Sequence, residues 1–171
     1  NRHPDEKFDV IVMNTTFHWR AHATNVLSGE FLHLCKAHLN PGGMIYFNTT
    51  DSNDAAYTAA RVFQYVTPFM NFVAASDRPF AMSREDKRRN LLKFQQKGRP
   101  VFEGEAADVL EELLNVDTSD RARAIRHNPG LWYITDDNMA VEFKTNGPGL
   151  WWRSLVKRVY RPERAWSQVL F

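Results

Sequence analysis

The sequence predicts an α/β fold, and three features of the stretch from Lys7 to Thr50 predict it. A run rich in β-branched residues, Phe8 to Met13, stops at the polar cluster Asn14-Thr15-Thr16. Apolar residues at helical spacing follow, closed by Asn40-Pro41-Gly42-Gly43, and a second apolar run, Met44 to Phe47, ends in Asn48-Thr49-Thr50. Strand, helix, turn and strand in that order make a βαβ unit, whose two strands are expected to lie parallel and buried. Ligands of such sheets sit beyond the carboxyl ends of the strands, so both Asn/Thr clusters fall where a binding site is expected.

The nearly continuous apolar character of Phe8 to Met13 suits a strand covered on both faces. Residues 17–25, with Trp19, Arg20 and His22, read as a loop. A helix from about Ser28 to Leu39 places Phe31, Leu32, Cys35 and Leu39 along one side. Pro41-Gly42-Gly43 ends it, and Met44 to Asn48 is the second strand. Asp51 to Asp54 offers N-caps for a helix to about Tyr65, with Ala55, Ala59, Val62 and Phe63 facing inward. Pro68 breaks the pattern, and Asn71 to Ala75 reads as a third strand. Ser83 with Asp86 resembles a capping arrangement for a helix through about Gln96. Glu105 to Leu114 is a second short helix, and Ser119 caps a third, basic one. Leu131 to Thr135 reads as a fourth strand, followed by Asp136-Asp137-Asn138. In the tail, Leu150, Trp151, Trp152, Leu155, Val156, Val159 and Tyr160 alternate with basic residues as in an amphipathic helix, stopped by Pro162. Two regions result: residues 1–149, with a helical insertion at about 77–130, and an amphipathic tail at 150–171.

At 171 residues the chain suits one domain with a real core. Its formal charge of +2 is too small to argue for a nucleic-acid partner, and none is expected. The single cysteine, Cys35, allows no disulfide within the chain; a buried structural thiol in a reducing, cytoplasmic compartment is the natural expectation. No apolar run approaches the roughly 20 residues of a membrane-spanning helix. The start, Asn1-Arg2-His3-Pro4-Asp5, carries neither an initiator methionine nor a signal-peptide pattern, and reads as a cut inside a longer protein.

None of the eight glycines builds a phosphate-cradling loop after a strand. His18 and His22 stand at i, i+4 but lack the carboxylate between them of a metalloprotease helix, so no metal site is expected. Ser28-Gly29 lacks the flanks of a nucleophile elbow.

Three segments in order carry a resemblance. They are Asp9-Val10-Ile11-Val12-Met13-Asn14; Ser28-Gly29-Glu30-Phe31-Leu32 leading to His38-Leu39-Asn40-Pro41-Gly42-Gly43; and Ile134-Thr135-Asp136-Asp137-Asn138-Met139-Ala140. Together they resemble spermidine synthase-like proteins, the polyamine aminopropyltransferases of the S-adenosylmethionine-dependent methyltransferase superfamily. The resemblance covers about residues 5 to 80 and 130 to 143. It implies the second half of a Rossmann-like methyltransferase fold: a mostly parallel sheet, an antiparallel last strand at Leu131 to Thr135, and a helical insertion on the catalytic rim. That geometry turns Asp136-Asp137 away from the cofactor side and leaves the pair to a turn.

The resemblance further implies that the glycine-rich loop and the ribose-holding acid lie upstream. S-adenosylmethionine or its decarboxylated relative is then the cofactor of the intact protein, and this chain alone is expected to bind neither. Spermidine synthases carry Asp-Ser-Ser-Asp-Pro after the strand matching Phe8 to Met13; in this chain Asn14-Thr15-Thr16-Phe17-His18 stands there, without either carboxylate. A neutral amide and a phenyl ring neither accept a proton nor attract a polycationic amine. His18 is the one nearby base and the expected catalytic residue; Asn14, Thr15, Thr16, Trp19, Thr49 and Asp51 are the expected substrate- or cofactor-binding residues. The expectation is a transferase, acting on an unidentified small-molecule acceptor in the intact protein; the alternative is a non-catalytic interaction module that keeps the fold. Expected partners are the missing N-terminal half, the acceptor and a second copy in a homodimer. A membrane-anchored full-length protein, with this chain as a cytoplasmic domain, is the alternative setting.

Overall fold

In the computed structural model, residues 3–14, 24–50 and 52–138 are described. They divide into two compact units, residues 3–80 with 118–138 and residues Ala81–Asp117.

The first unit is built on a four-stranded sheet. Strand β1 is Phe8–Met13, β2 is Leu39–Asn48, β3 is Tyr65–Phe69 and β4 is Phe72–Ser76, in the spatial order β1-β2-β4-β3. β1 and β2 are parallel, with Ile11 beside Ile45 and Met13 beside Phe47. Between them runs helix α1, Gly29–Ala37, so the βαβ unit forms as its periodicity predicts, but β1 is exposed or half-buried along its length, which corrects the expectation of a strand covered on both faces. Ser28 caps α1: its Oγ accepts a hydrogen bond from Phe31 N at 3.2 Å. β2 begins earlier than expected, with Pro41-Gly42-Gly43 inside it, and its register against β1 shifts between Phe8 and Val10. Gly42 takes φ +84 there, a conformation that favours a residue without a Cβ, and the Arg78 side chain lies against it.

The sheet is mixed rather than mostly parallel, because β4 runs antiparallel to both β2 and β3. Only Met70 and Asn71 separate β3 from β4, and so short a connection can join antiparallel strands only. Pro68 hides β3 from a reading of the sequence. As an edge strand it tolerates a residue that lacks the N–H donor. Its outer edge is closed by the chain at 118–121: Val66 N donates to Asp120 Oδ1 at 2.8 Å and Arg121 N donates to Val66 O at 2.8 Å.

Helix α2, Asn53–Val62, turns Ala55, Ala59 and Val62 inward as its spacing predicts, while Phe63 just beyond it is also buried. The core joins Leu32 and Cys35 of α1 with these residues and with Ile45, Phe47, Val66, Val73 and Ala75 of the sheet. All five sheet residues point to one face, fixed by the period of two along each strand.

Residues 131–135 are not a strand, which corrects the expected antiparallel final strand. Their backbone groups are taken by side chains and by a helix start instead of a ladder. Trp132 N donates to Asp54 Oδ1 (2.8 Å), Ile134 N to Thr58 Oγ1 (2.9 Å), and Gly29 N to Ile134 O (2.9 Å). Ile134 is buried in the core by this docking. The segment passes so close to α1 that a Cβ on Gly29 would overlap the Tyr133 ring and hydroxyl.

The expected basic helix after Ser119 is α5, Ala122–Arg126. Its Arg126 covers the carboxyl end of α2: Nη2 donates to Phe63 O at 2.6 Å and Gln64 O at 2.9 Å, and Nε donates to Ala60 O.

The second unit holds α3, Arg84–Leu91, and α4, Ala107–Leu114. Between them a two-residue pair, β5 (Gln95–Gln96) with β6 (Arg99–Pro100), forms a hairpin where the sequence predicts helix. Ser83 caps α3 as expected, its Oγ accepting from Asp86 N at 3.0 Å. The expected tail helix, the two-region boundary at residue 150 and the Met139-Ala140 end of the third resemblance segment lie outside the described residues. Among the described residues, no helix is long and apolar enough to cross a membrane.

Candidate functional site

The two parallel strands end side by side, and their polar ends meet. Asn48 Nδ2 donates to Asn14 Oδ1 at 3.0 Å across the carboxyl edge of the sheet. Asn48 Oδ1 accepts from Thr50 N at 2.8 Å and from Asn71 Nδ2 at 3.2 Å. One amide thus ties the ends of β1, of β2 and of the β3–β4 hairpin together. Thr49 adds a second clasp, its N and Oγ1 both donating to Asn71 O, at 2.8 and 3.0 Å.

The backbone at this edge is strained. Thr50 has φ +54, a left-handed conformation unfavourable to a β-branched residue, and the bond from Thr50 N to Asn48 helps hold it there. The chain then turns through Ser52 N donating to Thr49 O (3.0 Å) into the start of α2. Ser52 stands at the N-cap with its Oγ buried and without a hydrogen-bond partner among the described residues. Strain, buried hydroxyls and a helix start are gathered at the carboxyl edge, whereas Asn14 is exposed.

Of the residues expected to bind substrate or cofactor, Asn14 and Thr49 are brought together at this rim. His18, Thr15, Thr16, Trp19 and Asp51 lie outside the described residues. Asn48, Thr50 and Asn71 carry no individual signal in the sequence, whereas Ser52 lies among the N-cap candidates of Asp51 to Asp54 and takes that place. The first two belong to the polar cluster after β2, but Asn71 reads as strand, and only the hairpin turns it toward the rim.

Two expectations about placement are corrected. Residues 72–76 run antiparallel to β2, with Ser76 beside Met44, so this strand ends at the amino edge of the sheet and not at the rim. At that edge Lys36 Nζ pairs with Asp77 Oδ2 at 2.8 Å and donates to Val62 O at 2.8 Å, beside a cavity of about 400 Å³ that Lys7, Asn40 and Gly43 also line. Asp136-Asp137, expected on the far side, form a turn closed by Asn138 N donating to Thr135 Oγ1 (3.1 Å). Asp136 N donates to Glu30 Oε2 in the first turn of α1, so this turn stands at the rim end of the helix.

Burial holds one thiol and two phenols of this unit in their neutral forms. It pushes the Cys35 thiol up to about 11, which makes it an inert packing group. It also raises Tyr46 and Tyr133, the latter helped by the Glu30 carboxylate and opposed by Arg61. Among the described residues no three His, Cys, Asp or Glu side chains are grouped to hold a metal ion.

Neither protein-family models nor curated proteins match the chain.

Proposed function

We propose that the chain is the carboxyl-terminal half of a group-transfer domain of the spermidine synthase-like, S-adenosylmethionine-dependent kind, with a rim at Asn14, Asn48 and Thr49 that positions a small-molecule acceptor. The observation that carries this reading is the asymmetry of the sheet. Helices α1, α2 and α5 all contribute to the core on one face. The other face bears Phe8, Val10, Val12, Met44, Tyr46, Phe69, Phe72 and Ala74, apolar residues that are exposed or half-buried. β1 is also a free edge: among the described residues its outer side pairs with nothing, although the strand is apolar. An open groove of about 480 Å³ runs along that edge, lined by Phe8, Val10, Ile11, Leu34, Cys35 and His38. Apolar edges of this kind are normally covered. The first half of the domain is the covering element in this reading.

The described rim does not by itself fit the nucleoside cofactor. Its strand ends offer amides and hydroxyls, the carboxylates of Glu30, Asp136 and Asp137 stand apart from them at the rim end of α1, and among the described residues there is no glycine-rich loop to admit a polar headgroup. What the chain supplies is acceptor positioning. Asn48 orients the Asn14 amide, which presents a neutral donor and acceptor where the resembled enzymes place a carboxylate. An amine acceptor must lose a proton to attack, and His18, four residues beyond Asn14, is the residue to take it near neutral pH.

The mutual satisfaction of Asn14, Asn48 and Asn71 also favours a second reading, in which the rim is a structural clasp of a non-catalytic module. Calorimetry on the natural full-length polypeptide separates the two. Saturable binding of S-adenosylmethionine or decarboxylated S-adenosylmethionine, with turnover lost in His18→Ala, supports the transferase; absence of binding to both removes it.

A further inference from the structure

The unit Ala81–Asp117 is sharply divided in charge. From Ala81 to Arg99 seven Lys and Arg stand against Glu85 and Asp86, and from Pro100 to Asp117 all six charged residues are acidic. Part of this division is internal. Arg84 donates to Glu111 Oε2 (2.6 Å) and Asn115 Oδ1 (2.7 Å), Arg88 to Glu111 Oε1 (2.7 Å), and Lys87 to Val116 O (3.2 Å). Those three cations, at i, i+3 and i+4, face α4.

Beyond the two ends of α3 the surface is built differently. Asn90 Nδ2 lies 3.7 Å from Met82 Sδ, and Lys93 Nζ donates to Asn90 Oδ1 at 3.0 Å, which sets an exposed thioether beside an exposed ammonium. Every residue from Leu92 to Arg99 is exposed, including Leu92 and Phe94, the latter with 61% of its surface open to solvent. Lys97 stands at the hairpin turn with φ +51, and among the described residues Lys97 and Arg99 have no ion pair. No residue of α3 is buried. Cations interleaved with single large apolar side chains, on a stretch from Leu92 to Arg99 without a buried residue, form the pattern of a surface that lies on anionic lipid: Phe and Leu enter the headgroup boundary while Lys and Arg meet the phosphates.

We infer that Met82, Leu92, Phe94, Lys93, Lys97 and Arg99 form a docking face for an anionic membrane surface. The apolar side chains favour lipid over nucleic acid, since Met82 and Leu92 are aliphatic and Phe94 is the one ring among them on which a base could stack.

Co-sedimentation of the full chain with vesicles of phosphatidylcholine, with or without about 30% phosphatidylserine, tests this. The expected result is binding to the serine-containing vesicles only, weakened as salt rises. Lys93→Glu with Lys97→Glu should weaken it by at least about twentyfold, and Phe94→Ser should weaken it several-fold, with circular dichroism unchanged. Lys93→Arg with Lys97→Arg should keep it. The inference is overturned by equal binding to both vesicles, by no binding, or by charge-reversed protein that binds like the wild type, which would move the contact to the 150–171 tail. It is equally overturned if single-stranded DNA binds more tightly than the vesicles and Phe94→Ser leaves vesicle binding unchanged.

Discussion

The two faces of the sheet are made from the same strands and have opposite fates. On one, Ile45, Phe47, Val66, Val73 and Ala75 are sealed beneath α1, α2 and α5; Phe47 has no exposed surface. On the other, Val12 keeps 67% of its surface exposed, and Tyr46 and Phe72 stack on one another, ring centroids 4.9 Å apart. The two edges differ likewise: β3 is closed by 118–121, and β1 is open among the described residues. Apolar patterning is thus symmetric across the sheet while burial is not. A strand reads as buried on both faces when its sequence is adapted to neighbours on both. The bare face and bare edge carry the proposal that a further half of the domain belongs there.

Substitutions at matched positions test that contrast. Phe47→Ala should lose about 3–5 kcal/mol of stability in urea titration, because a fully packed ring leaves a cavity. Tyr46→Ala, one residue away on the bare face, should lose only about 1 kcal/mol, the worth of its pairing with Phe72. Equal losses would mean that both faces are packed. Thr58→Val should cost about 1–3 kcal/mol by orphaning the buried Ile134 N–H, and it should free residues 131–135 to proteolysis.

A smaller effect is expected from Cys35 in alkali. Its folded pKa, about 11, lies above the ordinary 9.0, so its contribution to stability is complete below pH 9 and is lost as pH rises from there toward 11. Urea midpoints of wild type and Cys35→Ala measured across that window should converge; parallel curves would show that the thiol is not shielded. The smallest effect belongs to Val12→Lys, which should change stability by less than about 0.5 kcal/mol, as at an ordinary surface position. A loss comparable to that of Phe47→Ala would place Val12 in a core.

Much of this contrast is legible in the residues. Period and capping locate α1, α2, α3 and α4, with Ser28 and Ser83 as caps, and the Asn/Thr ends of β1 and β2 fall together as expected. What is illegible depends on partners distant in the chain. Pro68 reads as a breaker unless its strand is known to be an edge. Leu131 to Thr135 has a strand's composition, but Asp54 and Thr58, more than 75 residues earlier, take its N–H groups before a ladder can. Asn71 gains its place at the rim only from the hairpin that reverses β4. The sheet is therefore mixed where pattern alone suggests parallel.

Hydrogen exchange along Phe8–Met13 tests the central claim most directly. In this chain the amides on the outer side of β1 should exchange rapidly while their inward neighbours, paired with β2, are protected; in the natural full-length polypeptide both sets should be slow. Outer amides that still exchange rapidly in the full-length polypeptide would contradict the proposal that the rest of a transferase domain pairs along this edge.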